Sequence, residues 1–117
     1  MSPAAFLDLA LSLPQTALGR HQGGADLRVA GKIFASPVDR PGGAAVLKLT
    51  PEQRDMLCQA EPETFEPVRG RGGDRGWARL IAAQADVATA TSALWMAWRN
   101  AAPPKLLKTH SSTGASS

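Results

Sequence analysis

The sequence predicts an α+β fold, in which an antiparallel sheet carries helices packed on one face within a single domain. Three observations carry this. Apolar residues recur at helical spacing at the start, the middle and the end of the chain. Short β-rich runs lie between those segments, set off by glycine and proline turn signals. Strands and helices do not alternate one by one, which argues against a doubly wound parallel sheet. A chain of 117 residues suits one domain and buries roughly two-thirds of its unfolded surface, enough for a core without metals or disulfides.

Ser2-Pro3 opens the first helix, with serine at the cap and proline at the first helical position. Phe6, Leu7, Ala10, Leu11 and Leu13 form its apolar face, which ends before Pro14. The stretches HQGG and DRPGG are turn signals, and ADLRVAG, KIFASPV and AAVLKL read as short strands. Leu27 and Val29 alternate with Arg28, as in a strand with one buried face. Thr50-Pro51-Glu52-Gln53 is a capping box, followed by Met56, Leu57 and Ala60 on a helix that stops near Pro62. FEPV and WARLIAA are extended segments on either side of RGRGGDRG, residues 69–76. That connection exceeds the usual roughly two to five residues of a hairpin loop, which predicts a long, mobile tip. Asp86 caps a last helix with Val87, Ala90, Leu94, Ala97, Trp98 and Ala101 on one face, and Pro103-Pro104 ends it. The domain is drawn at 1–107. The Ser/Thr/Gly-rich residues 108–117 have nothing to bury and are expected to be a disordered tail.

The charge is unevenly spread. Residues 1–66 hold six Lys/Arg against eight Asp/Glu, while residues 67–117 hold seven against two. The basic excess suggests an anionic partner, with a solvated surface as the plain alternative. The apolar stretch near the N-terminus is interrupted by Asp8 and lacks a preceding basic residue, so neither signal peptide nor membrane span is expected. One cysteine, Cys58, cannot form an intramolecular disulfide. Together these features fit a cytoplasmic protein.

Catalysis finds little support. Cys58 sits beside Leu57 with no histidine near in sequence, His21 falls in a glycine-rich turn and His110 in the tail. Neither zinc nor iron spacing is present, and no enzyme activity, cofactor or metal is expected. RGRGGDRG precedes a strand rather than opening a helix, so it is no phosphate-binding loop of the nucleotide-binding folds. Two readings of it stay open. Arg69, Arg71 and Arg75, with Arg79 just beyond, make a wing that tracks a phosphate backbone through planar, bidentate guanidinium groups. Alternatively the stretch is a solubilising turn. Arg28, Lys32 and Lys48 lie in or beside the strands and would extend a basic surface if register put them on one face. Trp95 and Trp98 are read as core and core edge.

Taken in order, ALSLP (Ala10–Pro14), GRHQGGADLRVAGKIFA (Gly19–Ala35), LKLTPEQ (Leu47–Gln53), PETFEPVRG (Pro62–Gly70), GWARL (Gly76–Leu80) and AWRNAAPPKLL (Ala97–Leu107) resemble the MmcQ/YjbR family, whose proposed activity is DNA binding. The resemblance implies a fold similar to that of CyaY, the bacterial frataxin relative, and a double wing of sheet hairpins proposed to contact DNA. His21, Lys32, Lys48 and Arg99 match recurrent positions of the family pattern. Leu27 stands where many relatives carry an aromatic, and Ala97-Trp98 where many have Ser-Tyr. Iron binding of the frataxin kind is not expected, because the first helix offers only Asp8 as a hard oxygen ligand.

The expected function is therefore largely sequence-independent DNA binding by a monomer, with Arg69, Arg71, Arg75, Arg79, Lys32, Lys48 and Arg28 as contacts. A protein-interaction module and a small-molecule-binding protein are the alternatives. The first would need an exposed apolar patch, the second a pocket around His21.

Overall fold

A computed structural model describes residues 1–21 and 24–109, the side chain of His21 excepted. Helix α1 (Pro3–Leu11) begins where the Ser2 hydroxyl accepts the Ala5 amide at 3.1 Å. Strands β1 (Thr16–His21), β2 (Gly24–Val29), β3 (Lys32–Ala35) and β4 (Ala44–Leu47) follow. Helix α2 (Pro51–Ala60), strand β5 (Phe65–Pro67), the short helix α3 (Arg71–Asp74), strand β6 (Ala78–Ile81) and helix α4 (Val87–Ala101) complete the order. The strands form one antiparallel sheet in the order β1-β2-β3-β4-β6-β5, so β6 inserts between β4 and β5.

Register decides which face each side chain takes, because opposed residues in an antiparallel pair share a face. Leu27 faces Ala35, Leu47 faces Ala78, and both Ala45 and Phe65 face Leu80. These residues are all buried. α4 lays Ala90, Ala93, Leu94, Ala97, Trp98 and Ala101 over this layer, and α1 packs against both α4 and β1. The small alanines let α4 approach closely, while Trp98 fills the remaining depth. Its indole N–H donates to the Pro14 carbonyl at 2.9 Å, satisfying the one polar atom that its burial would strand.

The opposite face of the sheet carries charge among apolar residues such as Ile33, Val46 and Ile81. Arg28 lies back along β2 and donates to both carboxylate oxygens of the buried Asp26, at 2.7 and 3.1 Å. Gly19, directly opposite Asp26 on β1, makes the room. A Cβ there would fall 2.5 Å from Asp26 Oδ1 and 2.7 Å from Arg28 Nε.

Four details differ from the expectation. β1 is a strand, although residues 16–21 carry no apolar alternation. The 69–76 connection is a folded helical turn, not an open tip. Val87 is 63% exposed and leaves the buried stripe of α4. A last helical turn at 104–109 extends past the expected boundary at 107. The predicted tail from His110 onward lies outside the described residues.

The capping prediction has a measurable pH signature. The Asp86 carboxylate accepts the Thr89 amide at 2.7 Å, and this bond holds its pKa below the ordinary value. A depressed folded-state pKa gives stabilisation that is complete above the unfolded value, about 3.9, and is lost as pH falls through the folded value. Asp86→Ala should therefore lower the melting temperature at pH 7, with the gap to the parent narrowing as pH falls below the unfolded value. A gap that stays the same across that range would show that the charge on the cap contributes nothing.

Candidate nucleic-acid interface

Antiparallel register places the basic residues along the chain at one end of the sheet. β2 ends and β3 begins there, joined by Ala30-Gly31 with positive φ at both (49° and 85°), the geometry of a tight two-residue hairpin turn. Lys32 stands at that turn. β4 runs toward the same end and delivers Lys48 just beyond Leu47, the partner of Ala78. β5 also runs toward it and delivers Arg69 just beyond Pro67, again opposite Ala78. β6 leaves from this end, so α3 with Arg71, and Arg75 after it, lies there too.

Strands β3, β4, β6 and β5 are consecutive in the sheet, and three gaps of about 4.8 Å make the row roughly 14 Å wide. Lys32, Lys48, Arg69, Arg71 and Arg75 are all exposed, and none forms an ion pair among the described residues. Asp74 lies in the same short helix as Arg71, Glu52 is in the first turn of α2, and Glu66 shares a cavity with Arg69. The other end of the sheet, by contrast, carries Asp39, Glu61, Glu63 and Asp86 with Arg20 and Arg40. The sheet is thus polarised along its strands.

The arginine-rich connection is held firmly. The Val68 amide donates to the Trp77 carbonyl at 3.1 Å and closes the hairpin, and the Trp77 amide returns to Gly72 at 2.8 Å. Arg54, on α2, donates to the Gly73 carbonyl and pins the turn from the side. Gly76 has φ 97°, and a Cβ there would meet the backbone of Thr50 and Pro51 at 2.4 and 2.3 Å, so only glycine lets the two segments touch. Arg75 lies over the Trp77 ring, 5.9 Å from its centroid, with its exposed charge still available.

Two of the expected contacts have other partners. Arg28 is bound to Asp26, and Arg79 pairs with Glu66 directly across β5 and β6. Both sit within the open sheet face, not at its end. Their charge is neutralised locally, which weakens them as phosphate ligands.

Sequence reasoning did not assign Arg99, Asn100 and Arg54 to the site. The Asn100 amide donates to the Lys48 carbonyl at 3.0 Å and to Gln53 Oε1 at 2.7 Å, tying the end of α4 to the basic end of β4. Arg99 beside it is exposed and lies 5.5 Å from the Trp95 ring centroid, so it adds a further cation. Arg99 had been visible as a family position, whereas the roles of Asn100 and Arg54 depend on contacts 52 and 19 residues apart.

A family model described as YjbR matches residues 11–100. The chain belongs to the YjbR family. The matched span runs from the end of α1 to the last turn of α4 and includes the whole sheet and every cation of the row. No curated protein matches the chain, and no solved structure does.

Other chemistry is sparse. Cys58, on α2, is half-buried, and burial pushes its thiol pKa up, the opposite of what an activated nucleophile requires. Among the described residues no group of three His, Cys, Asp or Glu side chains is placed to hold a metal, and no helix is long and apolar enough to cross a membrane. The side chain of His21, around which a pocket was considered, lies outside the described residues. Trp98 is buried, and the partly buried Trp95 packs edge-on against it at 5.2 Å.

Proposed function

We propose that this YjbR protein binds nucleic acid through the basic end of its sheet, with Lys32, Lys48, Arg69, Arg71 and Arg75 meeting backbone phosphates. One observation carries the reading: five exposed cations from four neighbouring strand ends stand at one end of the sheet, and none forms an ion pair among the described residues. A row of about 14 Å covers roughly four intervals of about 3.4 Å of helix axis along one strand, bounded by about five phosphates, so the numbers of charges match. Arg28 and Arg79 are left out of the contact set because carboxylates already occupy them. The antiparallel sheet under helices supports the CyaY-like fold that the family resemblance implies, and the compact charged surface suits a cytoplasmic protein.

Contacts of this kind carry little sequence information and release counterions. The logarithm of the association constant for a duplex should fall with the logarithm of salt concentration with a slope of about −4 to −5, as for five neutralised phosphates. Fluorescence anisotropy with a labelled duplex between 25 and 200 mM salt measures it. Absence of binding at the lowest salt would remove nucleic acid from the account.

A further inference from the structure

At the edge of the sheet, next to the basic row, lies a cavity of about 600 Å³ lined by Glu66, Pro67, Val68, Arg69 and Arg79. Its volume is within the range of roughly 300–1,000 Å³ typical of small-ligand sites. The floor is the cross-strand pair of Glu66 and Arg79, both half-exposed. One Arg79 nitrogen meets one Glu66 oxygen, which leaves the remaining guanidinium donors and the second carboxylate oxygen outside that bond. Pro67 and Val68 supply apolar wall. Arg69 stands at the rim with no ion-pair partner among the described residues.

A matching ligand offers donors to the carboxylate beside an acceptor for the guanidinium, and carries an anion within reach of Arg69. A lone phosphate would meet the Glu66 carboxylate unfavourably. A carboxylic acid would lack the donors. The geometry points to an unpaired guanine nucleotide of a single-stranded segment as the occupant. Guanine presents two adjacent donors, N1–H and the N2 amino group, to one carboxylate, and its O6 to the neighbouring guanidinium. Adenine and cytosine offer a single amino donor on that edge. The phosphate of the same nucleotide would reach Arg69, which joins the pocket to the row. Because the base is read on its Watson–Crick edge, the site requires an unpaired strand.

This inference rests on the proposed nucleic-acid binding and adds a base preference to it. The test uses labelled twelve-residue oligothymidylates, either plain or with one central guanine, inosine or adenine, in anisotropy titrations with the full chain. The guanine oligomer should bind about tenfold more tightly than the plain one, the size of one good two-point base contact. Inosine, which lacks the N2 amino group, should fall between them. Glu66→Gln should erase the guanine advantage while modestly tightening all four oligomers, since it removes a negative charge. Arg69→Ala should weaken all four by a similar factor. Equal binding of all four by the parent protein, or a guanine advantage that survives Glu66→Gln, would overturn the pocket alone and leave phosphate binding standing. If none of the oligomers and no duplex binds at low salt, both readings fall together. Melting curves of the two variants report whether each remains folded, and both positions are exposed enough to tolerate the change.

Discussion

Changing Arg69, Arg71 and Arg75 together to alanine is expected to reduce duplex affinity roughly 10- to 100-fold at moderate salt and to flatten the salt slope by roughly 3. The three side chains are exposed, none forms an ion pair among the described residues, and the turn that carries them is held by backbone bonds and by Arg54. Their removal should therefore leave the melting temperature nearly unchanged. Lys32 and Lys48 remain and should sustain a weaker, shallower binding. A loss of affinity without any change in slope would mean that the arginines act through something other than phosphate charge. An unaltered affinity would remove the late hairpin from the interface.

The second large effect concerns how the turn is held. Gly76→Ala puts a Cβ on a residue with φ 97° and drives it into the backbone of Thr50 and Pro51 at the start of α2. Left-handed strain and overpacking cost about 1–3 kcal/mol each. The two closest atoms are backbone and the third belongs to the rigid Pro51 ring, so no flexible side chain can yield. We expect the turn to peel away from α2 and break the Arg54 contact with Gly73, which limits the global loss to about 2–4 kcal/mol. Amide hydrogen exchange should then speed up selectively over residues 68–77, and duplex affinity should drop although every arginine is still present. A melting temperature within a degree of the parent, with unchanged exchange, would show that the α2 contact does not organise the turn. Because the variant retains full charge, it separates the placement of the arginines from their number.

The layered α+β architecture was legible because its signals are local. Ser2-Pro3, the Thr50–Gln53 capping box and Asp86 mark three helix starts by side-chain chemistry, and all three caps form the bonds they suggest. Leu27 and Val29 marked the buried face of β2 by alternation. β1 escaped notice because it is an edge strand with Leu18 44% exposed, so its residues feel little pressure to alternate. The 69–76 connection was read as loose from its glycines. Gly72 and Gly73 instead permit close packing on Val68 and Trp77, and Gly76 on the start of α2, contacts that show only once the folded turn is in view.

The candidate site was legible in its parts but not in its arrangement. That Lys32, Lys48 and Arg69 share one end of the sheet follows from register between distant strands, which no local pattern states. The Glu66–Arg79 pair spans 13 residues and depends on the same register. The Asp26–Arg28 pair is different. Residues two apart on a strand share a face, so this neutralisation could have been anticipated from the order Asp-Leu-Arg alone.

The central claim is that a polyanion settles on one particular end of this sheet. Titrating a short duplex into the isotope-labelled protein and following amide shifts by NMR tests it most directly. The account predicts that shifts cluster at residues 30–32, 48, 69–76 and 99, and that residues 39–43, 61–64 and 84–87 at the opposite end stay still. Shifts centred on that opposite end, or spread evenly over the surface, would contradict it.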